Sequence, residues 1–121
     1  MSEAELVLRS AYLAFNARDV EAAIELMHPE VEWPNAWEGG RVIGRDAVRD
    51  YWNRQFAEIS SMVEPEGFNE EADGSITVDV HQVVNDASTG ELISDSRVRH
   101  RYRLEDGLVV RMDVLEPPGQ Q

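Results

Sequence analysis

The stretch Arg97-Val98-Arg99-His100-Arg101-Tyr102-Arg103-Leu104 alternates strictly, and successive side chains of a strand point to opposite faces. One face then carries four arginines, and the other carries Val98, His100, Tyr102 and Leu104. An imidazole on an apolar face is costly unless partnered. His100 is therefore either a core histidine hydrogen-bonded to a helix side chain or the catalytic centre of a pocket. Its ordinary pKa, near neutrality, suits it to general acid or base work. Tyr102 either donates a hydrogen bond to a ligand oxygen or forms one more aromatic wall. Trp33, Asn35 and Trp37 occupy alternate positions, two indoles with an amide between them, and suit the mouth of a cavity. Trp37 also borders Gly39-Gly40, which has the composition of a flap. Trp52, from a helical stripe shared with Tyr51 and Phe56, is the member placed to reach a ligand. Met112 and Glu116 share the inner parity of the last strand. A carboxylate at Glu116 either pairs with His100 or a substrate hydroxyl, or is solvated beside Pro117.

Two further groups of residues point away from chemistry. His28, Glu30 and Glu32 have ligand-type side chains, but their spacing is not that of a helical pair and Pro29 breaks regular geometry, so no metal site is expected. The arginines at 97, 99, 101 and 103 face the acidic Asp79 and Asp113 of neighbouring strands. Cross-strand charge pairing on a convex surface explains them better than phosphate binding. That face, with Val83, Val109 and Leu115 interspersed, suits a homodimer interface.

The chain has 24 acidic against 11 basic residues and a net charge of −13, which repels nucleic acid and anionic membranes at long range. All eleven basic residues are arginine, and no mechanism follows from that. The absence of cysteine excludes disulfides, thiolate metal sites and cysteine nucleophiles. The acidic N-terminus lacks the regions of a secretory signal, and no apolar run reaches membrane-spanning length. A cytoplasmic protein of one domain, residues 1–121 with a loose tail from 116, is expected.

The elements that must position these groups fall into two halves. Ser2 and Glu5 form a capping box for a helix from about residue 3 to about residue 17, with Leu6, Leu8, Leu13, Ala14 and Phe15 as its apolar stripe. Asp19 caps a second short helix carrying Val20, Ala23, Ile24 and Met27 inward, ended by Pro29. Val31-Glu32-Trp33 forms a brief strand, and Gly44-Arg45-Asp46 opens a third helix with Val48, Tyr51, Trp52, Phe56 and Ile59 on one side. From Met62 the period becomes two, with turns at Asp73-Gly74, Ser88-Thr89-Gly90 and Asp106-Gly107 separating four strands. Ile76, Val78, Val80, Gln82 and Val84 share one inner face, and Leu108, Val110, Met112 and Val114 another. Three helices must cover one face of an antiparallel sheet, which is an α+β fold.

Several segments in this order resemble the SnoaL-like proteins of the nuclear transport factor 2-like superfamily. They are Phe15-Asn16-Ala17-Arg18-Asp19, His28-Pro29-Glu30-Val31-Glu32-Trp33, Gly44 to Trp52, and His100 to Arg111. The resemblance implies three helices packed on a strongly curved sheet, a cone-like half-barrel. It also implies a fold shared by isomerases, cyclases, dehydratases, epoxide hydrolases and binders, so that activity is not settled by it. Compared with ketosteroid isomerase, Asn35 stands where a base carboxylate would be expected, and a neutral amide cannot take a proton from carbon. His100 stands near the hydrogen-bond donor of that enzyme. The Asp-Arg-Asp set of an epoxide hydrolase is not matched, since Asp113, Arg99 and Arg101 face outward by parity. The expected function is a pocket for a small apolar, carbonyl-bearing molecule, with His100 acting in an isomerisation, cyclisation or dehydration that needs no cofactor. The alternative is a non-catalytic ligand-binding or dimerisation module in which His100 is structural.

Overall fold

A computed structural model describes residues 3–35 and 40–115. Helix α1 spans Glu3–Asn16, α2 Val20–Glu25 and α3 Arg45–Glu58; the strands are β1 Met27–Pro34, β2 Arg41–Ile43, β3 Ile59–Glu70, β4 Ile76–Asp86, β5 Leu92–Glu105 and β6 Leu108–Leu115. The strands form one sheet in the order β2-β1-β6-β5-β4-β3. Every pairing is antiparallel except β1 with β6. The helices pack on one face, so the architecture is α+β with an open, mixed sheet. No helix among the described residues is long and apolar enough to cross a membrane.

Several local expectations need correction. On α1 the buried residues are Leu8 and Tyr12, while Leu6 and Leu13 are exposed. Positions 8, 12 and 15 form the inward row at helical spacing, and the run of leucines masks it. Asp19 does cap α2, its side chain accepting from the Ala22 amide at 3.2 Å. That helix ends at Glu25, and Met27 and Pro29 belong to β1, which is eight residues long rather than three. The short strand β2 pairs with its far end and carries no periodicity long enough to read.

The parity of β6 also departs from strict alternation. Arg103 faces Arg111 but Leu104 faces Val109, so Val110 is an extra residue in a bulge. Val109 therefore turns inward with Met112, and both are buried. A second bulge lies at Glu66, between the Pro65–Val80 and Gly67–Asp79 pairs. Bulges sharpen local twist, and these help bend the sheet around the helices.

Two contacts seat the helices. The Asn16 side chain donates to the Val63 carbonyl at 2.7 Å and accepts from the Val63 amide at 2.9 Å, pairing with the open edge of β3 as a strand would. Arg45 donates from Nε to the Met27 carbonyl at 2.8 Å, tying the start of α3 to β1. On the outer face each arginine of the alternating run meets a carboxylate: Arg97 with Glu66, Arg99 with Asp79, Arg101 with Asp113 and Arg103 with Asp73. Such exposed pairs contribute little individually. Asn16→Ala, which removes both bonds to Val63, is expected to lower stability by about 2 kcal/mol. Arg97→Ala should leave the midpoint nearly unchanged; denaturant titration of both variants checks the contrast.

Candidate functional site

Residues 97–102 of β5 pair with β4 without a shift in register, which keeps their alternation. The apolar face therefore delivers His100 and Tyr102 beneath α1, where both are buried, at 7% and 4% exposure. Tyr12 descends from α1 between them. Its hydroxyl lies 2.7 Å from His100 Nδ1, and the Tyr102 hydroxyl donates to the Tyr12 oxygen at 2.9 Å. With that oxygen already accepting, the Tyr12 proton has His100 Nδ1 as its acceptor. With Nδ1 as that acceptor, the imidazole is assigned the tautomer that carries its proton on Nε2. The two ring planes are nearly parallel, 3° apart, with their centres 6.0 Å from each other. Nε2 has no partner among the described residues.

Burial sets the charge of this chain of groups. Removal from water pushes the His100 pKa down from 6.5 to about 4. It raises that of Tyr102, with the Tyr12 hydrogen bond acting in the opposite sense, and raises that of Tyr12 with added repulsion from Tyr102. All three groups are neutral at pH 7. The expected acid–base role near neutrality is thereby altered: His100 is a fixed N–H donor and a weak base.

His100, Tyr102 and Tyr12 line a cavity of about 160 Å³ between the sheet and the helices. Trp33, Trp52 and Met112 also line it. Trp33 meets Trp52 edge to face at 5.3 Å between ring centres, and Phe15 meets Trp52 at the same distance. Val114, a lining residue 47% exposed, marks the open side. Asn35 is buried but does not line the cavity. Trp37 and Glu116 lie outside the described residues, as do Ser2 and the tail from 116. Tyr12 is the residue that sequence reasoning passed over. Its signal was the 8–12–15 spacing, hidden because a tyrosine near a leucine-rich stripe reads as wall rather than partner.

No carboxylate lines the cavity among the described residues. On β1, His28 Nδ1 accepts from the Glu30 amide at 3.0 Å. Glu64, Glu66 and His81 do bring ligand-type atoms within 4.8 Å of one another, on the surface. Arg97 engages Glu66, however, and Asp95 engages His81 at 2.6 Å.

The SnoaL-like domain family matches residues 8–112, and the chain belongs to that family. Among curated proteins none matches in sequence. Solved structures of the nuclear transport factor 2-like type are similar in fold. One is a Burkholderia pseudomallei protein of unknown function, 23% identical, with a TM-score of 0.83 over 97% of this chain and 92% of that one. A Mycobacterium tuberculosis protein in complex with estradiol-17beta-hemisuccinate is 20% identical, with a TM-score of 0.82 over 98% of this chain and 96% of that one. A Pseudomonas putida protein named as a candidate polyketide cyclase is 16% identical, with a TM-score of 0.81 over 98% of this chain and 93% of that one.

The lowered His100 pKa has a measurable consequence. Between about 4 and 6.5 the unfolded chain holds a proton on this imidazole and the native protein does not. Stability from this group is therefore complete above that window, is lost as pH falls through it, and falls no further below it. Wild type minus His100→Gln, in unfolding free energy, should drop by about 3 kcal/mol from pH 7 to pH 4. Denaturation at a series of pH values measures it; a flat difference contradicts the burial of a neutral imidazole.

Proposed function

We propose that the cavity binds a small, mainly apolar organic molecule bearing a carbonyl or similar neutral acceptor, held by the Nε2–H of His100. The observation that carries this reading is the unspent Nε2–H at the wall of a chamber lined mostly by aromatic and aliphatic side chains. Its other ring nitrogen is already committed to Tyr12. A preset donor in a dry site polarises a carbonyl without reorganising, and stabilises the oxygen charge that develops on enolisation. Isomerisation, cyclisation and dehydration of carbonyl compounds all use that step. The size is that of engineered apolar cavities of about 150 Å³ that take up benzene, so the enclosed part of the ligand is about one ring. Similar folds that hold a steroid derivative or are named for polyketide cyclisation support the ligand class.

A second reading is favoured by one observation. The described lining residues include no carboxylate to take a proton from the ligand, as a non-catalytic binding module would have it. Both readings include a homodimer through the convex sheet face and a cytoplasmic setting. The dimer is supported by Met62, 47% exposed between the inward Ser61 and Val63. Val109 contributes nothing there because it is buried.

The test is His100→Ala, with thermal unfolding, ligand binding and turnover measured across ketones, enones and polyketide-like compounds. At a temperature where both proteins are folded, ketones should bind about tenfold more weakly to the variant. Turnover by wild type that the variant loses supports the enzyme, and binding without turnover supports the module. Equal ketone affinity in both proteins contradicts the role given to His100.

A further inference from the structure

A second set of polar groups faces the same chamber, away from His100. Ser61 on β3, Gln82 on β4 and Gln55 on α3 all line the cavity. Ser61 is almost fully buried, at 1% exposure. The contact between them is slight: Gln82 Nε2 donates to Ser61 Oγ at 3.5 Å, the outer limit of a hydrogen bond. Among the described residues, nothing accepts the Ser61 proton or donates to the Gln82 carbonyl, and the Gln55 amide has no partner. The buried Ser61 hydroxyl and the half-buried Gln82 amide thus keep hydrogen-bonding capacity that a polar group of a ligand can use.

Their place in the sheet gives a length. His100 lies opposite Val78, and Gln82 is four residues further along β4. At roughly 3.3 Å per residue, that is about 13 Å along the strand. Two hydrogen bonds of about 2.9 Å take up nearly half of that gap, which leaves the length of a ring with a short chain. We infer that the ligand is bifunctional, with its acceptor oxygen on His100 and a hydroxyl or similar donor–acceptor group at the far end, held by Gln82 and Ser61. This deepens the pocket reading above and rests on it. An amide and a hydroxyl can together accept and donate, which suits an alcohol or phenol better than a carboxylate in a protein that is already strongly acidic. The pocket therefore sets ligand orientation as well as ligand class: carbonyl towards β5, hydroxyl towards the β3–β4 side.

Benzylacetone and para-hydroxybenzylacetone differ only in the phenol, and calorimetric titration of both against wild type, Gln82→Leu and Ser61→Ala provides the test. Wild type is expected to bind the hydroxylated ketone about tenfold more tightly than benzylacetone. In Gln82→Leu that advantage should vanish through weaker binding of the hydroxylated compound, and Ser61→Ala, a smaller change at a buried site, should reduce it. A hydroxyl advantage that survives in both folded variants, or that is absent in wild type, overturns the second subsite while leaving the His100 contact standing. If wild type binds neither ketone, the pocket reading itself fails and this inference with it.

Discussion

The structure depends on one constraint: an imidazole placed on the inner face of a sheet must be kept neutral and hydrogen-bonded without water. The chain from Tyr102 through Tyr12 to His100 Nδ1 does this, joining β5 to α1 across the core. Each hydroxyl both satisfies a neighbour and hands on the polarity, so the demand ends at the Nε2–H, which has no partner among the described residues. Removing any member leaves a buried group unpaired, which is more damaging than never having had the network. The three residues therefore act as a unit.

The rest of the molecule holds that unit in place. Asn16 clamps the end of α1 to the edge of β3, which sets the depth at which Tyr12 enters. Arg18, in a left-handed conformation at φ 62°, closes the helix and reaches Ser60 at 2.9 Å, so the same turn is tied twice. The bulges at Glu66 and Val110 curve the sheet and turn Val109 inward beneath the ligand space. Outward, the guanidinium groups of β5 meet carboxylates across the sheet, which leaves the charge of that strand on the convex side and none on the concave one.

How much of this was legible in the sequence follows from how far each signal is local. The face of β5 was readable because nothing interrupts its pairing between Val98 and Tyr102, and His100 with Tyr102 came out inward as alternation requires. On β6 the same counting failed after one inserted residue, because a bulge leaves no mark in a run such as Leu108-Val109-Val110. Helix α1 was located by its period, but its buried row was misjudged, since Leu6 and Leu13 are more apolar than Tyr12 and yet exposed. Tyr12 pairs with His100 across 88 positions, a contact that only the packing of α1 on the sheet creates. Trp33 and Trp52 were found as aromatic neighbours of the space. Asn35, chosen for its alternation with them, is buried elsewhere, and spacing alone could not separate it from the lining.

The central claim is that His100 is neutral, donates from Nε2 and has its Nδ1 capped by Tyr12. Nitrogen-15 NMR of the histidine ring, followed from pH 8 to pH 4, reads tautomer and charge together. The account predicts protonated Nε2 and bare Nδ1 for His100 throughout the neutral range, with a titration midpoint near pH 4. A ring that titrates near its ordinary value of 6.5, or that carries its neutral-state proton on Nδ1, would contradict it.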